Sequence, residues 1–287
     1  MSTLIAQAVS LLKLRIGVAI AASAVAGMAA AKGTTLSPGQ AAAFALAVLG
    51  GAGAAGAFNH YYERDLDVHM KRTQERPFAN GTLGANALWL LSFAALLVAS
   101  LALALATGGV VAALYVFLGA FTYGVVYTVW LKRRTVWNIV VGGLSGSFAV
   151  LAGAAAVDPA PQVVPFVLAI VLFLWTPPHF WSLAAARRDD YAAARVPMLP
   201  VTAPDRLWTL AILLHTAALA VLSLVPLGFG VGPIYGVAAA TGGGYFLWRS
   251  WRLYRNPSRG AAMANFGASL VQLLLLVVGV LADAAVG

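Results

Sequence analysis

Asn59, Glu63 and Asp67 stand four residues apart along the chain. On a helix that spacing stacks three oxygen-bearing side chains on one face. Neighbouring carboxylates repel unless a cation sits among them. Hard oxygen ligands of this kind suit Mg²⁺, which keeps several waters and bridges a few carboxylates to substrate phosphates. Lys71, Arg72 and Arg76 come directly after. They suit phosphate oxygens, the lysine as a point charge and the arginines as bidentate forks. Arg72 and Arg76 are again four apart, so a continued helix aims both at one anion. Acids for a metal beside bases for phosphate are the composition of a diphosphate site. A solvated loop that only orients the protein accounts for isolated charges but not for this array. Asp65 falls off the shared face, open between ligand and solvent.

A second polar stretch runs from Trp175 to Pro200. Its paired carboxylates, Asp189 and Asp190, cannot both face one ion from a regular helix. One is available to a metal and the other to Arg187 or Arg188. His179 sits near a helix end among Trp175, Phe180 and Trp181. His60 and His69 fall in the first acidic stretch. His215 lies within an apolar run, where an ionisable group is a functional candidate by default. A neutral histidine bonded to a neighbouring helix is its duller explanation.

These side chains need a scaffold, and composition says which kind. Of 287 residues, 61% are hydrophobic and 9% charged, with a mean hydropathy of +0.87. Soluble domains carry about 25% charged residues. Too little charge is present to coat a water-exposed surface, which excludes a soluble enzyme, a disordered chain and a fibrous repeat. An all-α polytopic membrane protein remains, read as one domain over 1–287. The net charge of +9 then belongs to basic loops, not to a nucleic-acid surface. Cysteine is absent, so there is neither a disulfide framework nor thiolate chemistry. Residues Met1 to Leu12 carry no basic n-region and no cleavage-like site. Lys13 and Arg15 precede the first apolar run, which reads as a retained span.

Nine apolar segments are long enough to cross a bilayer, at about 16–34, 40–59, 86–106, 109–130, 136–157, 163–183, 207–227, 231–248 and 264–285. With nine crossings, all of the 18 Lys and Arg residues except Lys32 fall on one side. The positive-inside rule places that side, and the N-terminus, in the cytoplasm. Both acidic stretches share it. Gly50–Gly56 and Gly142, Gly143 and Gly146 read as close helix packing, since no Gly-Lys-Ser/Thr comes after them.

The run Asn59-x3-Glu63-x3-Asp67-x2-Met70-Lys71-Arg72-Thr73-x2-Arg76-Pro77 resembles the first motif of the UbiA superfamily of intramembrane prenyltransferases. Its second half is similar to the protohaem IX farnesyltransferase branch. Tyr127-Thr128-x2-Leu131-Lys132-Arg133 with Asn138-Ile139 resembles the loop after the fourth helix. Pro178-His179-Phe180-Trp181 with Asp190-Tyr191 resembles the end of the sixth helix, and Val196-Pro197-Met198-Leu199-Pro200 resembles the stretch after it. The likeness runs from about Leu12 to the end. It departs at Leu14, where relatives often have Pro, and after Gly146, where Ser147–Gly153 replaces a double proline and an aromatic. The second departure implies a straighter or narrower fifth helix.

The resemblance implies a UbiA-type bundle that transfers a farnesyl group from farnesyl diphosphate to a vinyl of haem B, giving haem O and diphosphate. Haem is then a substrate, and Mg²⁺ the cofactor. It implies metal ligation by Asn59, Glu63, Asp67, Asp189 and Asp190. Lys71, Arg72, Arg76, Lys132 and Arg133 would contact diphosphate, and His179 matches the family's histidine. Tyr61, Tyr62, Tyr127, Phe180 and Trp181 are candidates to face an allylic cation, or to anchor the chain at the interface. The site would lie on the cytoplasmic face of a bacterial cytoplasmic membrane. Whether a haem A synthase docks as partner stays open. A prenyltransferase for a quinone precursor keeps the same site logic. A transporter does not, since its polar groups belong near the midplane.

Overall fold

The computed structural model describes residues 9–286; the first eight residues of the N-terminal reading lie outside them. Every described element is helical. The helices are α1 (Leu14–Ala30), α2 (Pro38–Tyr62), α3 (Arg64–Asp67), α4 (Ala87–Phe121), α5 (Asn138–Gly142), α6 (Leu144–Val157) and α7 (Val163–Ala186). They continue as α8 (Arg188–Ala193), α9 (Leu199–Thr202), α10 (Asp205–Leu222), α11 (Pro233–Arg255) and α12 (Arg259–Val286). A 3₁₀ turn over Val225–Phe229 links α10 to α11, and α4 runs on into a π-helix, Thr122–Leu131.

Local chemistry sets several boundaries. Ser37 and Gln40 form a capping box ahead of Pro38, so α2 begins with its first amides satisfied. Asn86 accepts from Leu88 to start α4. Inside α4, Gly109 adopts φ 79, ψ −179, a region open only to glycine. Gly109 therefore breaks the apolar stretch 87–131 into two helical arms, where the sequence places a short link at 107–109. The two arms run side by side. Ser100 and Val116, on opposite sides of Gly109, approach Gly50 and Gly51 of α2, while Gly108 approaches Phe44.

Among the described residues, six helical stretches are long and apolar enough to cross a membrane, with 87–131 counted once. α1 is apolar but shorter, and α11 ends in Arg249, Arg252 and Arg255. The fifth apolar segment consists of α5 and α6 joined at Gly143, whose own backbone stays helical at φ −60, ψ −26. Gly143 packs against Thr176 of α7, beside Gly142 against Tyr127. Gly27 of α1 and Gly153 of α6 bring two backbones into contact, each facing a carbonyl of the other helix. Glycine there permits close approach.

The two acidic stretches come together at one end of the bundle. Leu66 and Met70 from the first pack in one buried cluster with Tyr191, Val196 and Met198 from the second, over Ile139 and Trp181.

Candidate active site

Asn59, Glu63 and Asp67 are all buried, at 2%, 1% and 1% exposure. The helix carrying them does not run unbroken. Glu63 ends α2 at φ −91, ψ 10, and α3 restarts at Arg64. The amide of Asp67 still donates to the Glu63 carbonyl at 2.8 Å, which keeps the path nearly helical and the three side chains on the inner side.

Each of the three meets a base. Lys13 Nζ donates to Asn59 Oδ1 at 2.5 Å and to the Tyr123 hydroxyl at 2.8 Å. Lys132 Nζ pairs with Glu63 Oε2 at 2.5 Å. Arg76 Nη1 reaches both oxygens of Asp67, at 2.9 and 2.8 Å. Lys13 is a site residue that sequence reasoning misses. It holds φ 49, ψ 43 immediately before α1, a left-handed conformation uncommon outside glycine. Burial holds its ammonium well below the ordinary lysine value; Arg76 adds to that and Glu63 opposes it.

The π-helix explains why Tyr123, Tyr127, Thr128 and Lys132 converge. Its hydrogen bonds span five residues, so side chains five apart fall on one face. Tyr123 lies under Lys13. Thr128 accepts from Asn59 Nδ2 at 2.9 Å and donates to the Tyr123 carbonyl at 2.8 Å. Tyr127 stacks on Tyr123 and underlies Lys132.

The paired aspartates diverge. Asp190 is buried with Oδ2 unpartnered, whereas Asp189 is exposed. Neither takes Arg188, which bonds the Pro200 carbonyl and Asp205. Burial pushes the Tyr191 hydroxyl up, against the pull of Arg72 beside it. Glu63 Oε1 and His60 Nδ1 are likewise buried without partners.

Several expected residues are not brought in. Arg133 turns outward to a bidentate pair with Asp65, at 2.8 and 2.7 Å, and its hydrogen bonds hold the Asp65 carboxyl below the usual carboxylate range. Lys71 is exposed and makes no contact with the cluster, and Arg72, also exposed, stays beside Tyr191 at its edge; turns replace the continued helix after Asp67 and fold Arg76 back onto it. His179 is held between α7 and α12, 2.7 Å from Ser269 Oγ and stacked on Trp175 and Phe266. Of the five candidate aromatics, only Tyr127 contacts the charged cluster. Tyr61 joins Phe78 and Phe93, Tyr62 lies under Arg133, Phe180 meets the His179 ring edge-on, and Trp181 meets His215. Among the described residues no three His, Asp or Glu side chains converge closely enough to hold a metal.

The family model described as the UbiA prenyltransferase family matches residues 20–277. The chain belongs to the UbiA prenyltransferase family. It is 57% identical over 274 residues to protoheme IX farnesyltransferase 2 of Paramagnetospirillum magneticum, spanning 96% of this chain and 95% of that one. It is 42% identical to protoheme IX farnesyltransferase of Azotobacter vinelandii over 81% of this chain and 78% of that one. In three dimensions it resembles a digeranylgeranylglyceryl phosphate synthase, with TM-score 0.79 at 15% identity over 99% of both chains. It also resembles a UbiA homologue from Archaeoglobus fulgidus bound to GPP and Mg²⁺, with TM-score 0.71 at 14% identity over 97% and 99%. The UbiA fold therefore holds across the whole bundle.

Proposed function

We propose that this UbiA-family enzyme transfers the farnesyl group of farnesyl diphosphate to a vinyl group of haem B, with one water adding to the side-chain cation that results, giving haem O, diphosphate and a proton. The acceptor is inferred from the 57% identical relative. The single observation that carries the chemistry is the matching of Asn59, Glu63 and Asp67 by Lys13, Lys132 and Arg76 in one buried cluster. The whole chain acts as one domain. It crosses a bacterial cytoplasmic membrane nine times, with the N-terminus and the acid-bearing end in the cytoplasm. The one-sided Lys and Arg and the doubling back at Gly109 support that placement.

The hard oxygen donors suit Mg²⁺ by chemistry, although their carboxylates do not converge on one point as they stand. Glu63 Oε1 and Asp190 Oδ2 are buried carboxylate oxygens without partners, and such orphans are costly unless a cation or donor meets them. Asn59, Glu63, Asp67 and Asp190 would hold the ion, and Asp189, facing outward, would not. Bound there, Mg²⁺ supplies charge stabilisation for the departing diphosphate oxygens. Lys13, Lys132 and Arg76 already lie against those acids, so they meet the diphosphate in the same pocket and stabilise the charge that develops on it. Arg72 contacts it from the exposed side. Tyr123 orients the Lys13 ammonium, and Thr128 orients the Asn59 amide. Tyr127 turns an aromatic face toward the allylic cation. Burial limits water until the vinyl carbon attacks farnesyl C1 and diphosphate leaves; water then adds to the side-chain cation and loses a proton, leaving the hydroxyl of haem O. His179, in its aromatic slot, serves the acceptor side.

The test is incubation of purified protein with haem B, farnesyl diphosphate and Mg²⁺, and then mass analysis of the extracted porphyrin. Haem O is expected. Unmodified haem alongside a prenylated quinone precursor in a parallel incubation would overturn the reading.

A further inference from the structure

The four ion pairs among the described residues draw on Asp67, Glu63 and Asp65 of the first acidic stretch and on Asp205, just beyond the second. The turn joining α11 to α12 breaks that pattern. It carries Arg249, Arg252, Arg255 and Arg259, and no acid lies between 249 and 263. Arg252, Arg255 and Arg259 are exposed. Three of the four arginines stack on indoles. Arg249 and Arg252 lie over Trp248 at 5.2 and 5.4 Å, and Arg255 lies over Trp251 at 5.8 Å. Trp248 and Trp251 are themselves 48% and 46% exposed. Stacking on a ring face leaves the N–H edges of a guanidinium pointing outward, preset for an oxyanion. Charge alone would satisfy topology; rings under the charges are not needed for it.

Beside this turn lies a polar cavity of about 120 Å³, lined by Arg188, Asp205, Trp208, Ser258 and Arg259 among others. One water needs only ~10–15 Å³, so a tetrahedral oxyanion fits. Asp205 is already taken, accepting from Arg188 Nη2 at 3.2 Å and Trp208 Nε1 at 2.9 Å. That leaves the Arg259 charge uncompensated at the cavity wall. Ser258 accepts from the Ala261 amide, and its hydroxyl hydrogen is left to donate. Half-exposed tryptophans mark this level as the lipid headgroup zone.

We propose that this cavity binds the phosphate of an anionic phospholipid, with Arg259 as its principal contact and Arg252 and Arg255 holding neighbouring headgroups. Its lining shares no residue with the Asn59, Glu63 and Asp67 cluster or its bases, so it is a second anion site and not part of the first.

The test uses the full chain in nanodiscs of phosphatidylcholine with graded phosphatidylglycerol, then counts the lipids retained on the protein by native mass spectrometry. The readout needs no turnover, so it stands apart from the proposed reaction. Phosphatidylglycerol should be retained in preference to phosphatidylcholine. Arg259→Gln should weaken its retention roughly fivefold, the scale of one basic residue at an anionic surface, and Arg252→Gln with Arg255→Gln by more. Arg134→Gln, an exposed arginine elsewhere, should change nothing. Wild-type retention in Arg259→Gln would overturn the proposal. Stripping of the lipid by millimolar inorganic phosphate, but not chloride, would reassign the cavity to free anions. A raised KM for haem in Arg259→Gln with unchanged lipid retention would reassign it to the acceptor's carboxylates.

Discussion

Three bases reach three buried oxygen-bearing side chains, and they come from different parts of the chain. Arg76 sits nine residues from its partner, Lys13 forty-six and Lys132 sixty-nine. Arg76 reaches both Asp67 oxygens through Nη1 alone; its other nitrogens would form the planar fork that holds a diphosphate, which a lysine cannot copy. Arg76→Lys should therefore keep the charge yet lose at least tenfold in kcat/KM, about 1.4 kcal/mol of transition-state stabilisation. Arg255→Lys, far from any carboxylate, should leave the kinetics unchanged. Asp65 makes the opposite case. Its pair with Arg133 is largely exposed, so Asp65→Asn should cost under about 1 kcal/mol at neutral pH. The folded carboxyl titrates lower than the unfolded one. The contribution is thus present above the ordinary aspartate value of about 3.9 and lost as pH falls through the depressed folded value. Unfolding curves of both proteins should converge in acid. The spacing of Asn59, Glu63 and Asp67 was legible because helical periodicity alone buries them together. Lys13 was not, because no local pattern announces a contact forty-six residues away or a left-handed lysine. Arg133 and Lys132 are neighbours in sequence and point apart, and residue types alone cannot separate them.

Helices here are positioned by what their glycines permit. A Cβ on Gly153 would collide with the Ala24 backbone carbonyl, and one on Gly27 with that of Val150. Backbone cannot rotate aside as a side chain does. Gly153→Ala should cost at the upper end of the roughly 1–3 kcal/mol seen for overpacking, read as a lowered unfolding temperature in detergent. Gly109→Ala meets open space but a forbidden backbone, and should cost about 1–3 kcal/mol. Gly244→Ala, on an exposed helical position with nothing nearby, should be neutral or stabilising by about 0.5–1 kcal/mol. The apolar runs and the Ser37–Gln40 cap were legible in composition and local chemistry. The π-helix was not. Its register shift depends on partners in α2 and α5, and Thr122–Leu131 reads from sequence as ordinary helix. The same limit applies to the turns at 68–80, where tertiary pairing of Arg76 with Asp67 overrides a helical charge spacing.

At the scale of the whole bundle, charge is segregated to one end, and that makes the nine-crossing topology open to a direct test. Cysteines placed at Asn80 and Ser258 should both react with an impermeant thiol reagent from the cytoplasmic side only, and one at Ala160 from the opposite side only. The absence of native cysteine leaves no background. Opposite labelling of Asn80 and Ser258 would break the nine-crossing arrangement.

In the proposed site, Glu63 and Asp67 lie beside Lys132 and Arg76, with Lys13 on Asn59. A divalent cation entering alone must compete with these three bases, and a polyanion alone must compete with the two carboxylates. Entering together, the two largely cancel one another. The pocket is therefore a thermodynamic coupler: each ligand raises the other's affinity by the same factor, as linkage requires. Thermal unfolding with Mg²⁺ alone and with inorganic diphosphate alone should shift little. With both present, the shift should exceed the sum of the two, and Glu63→Gln should erase the excess. Strictly additive shifts in the wild type would mean that the two ligands do not share the pocket.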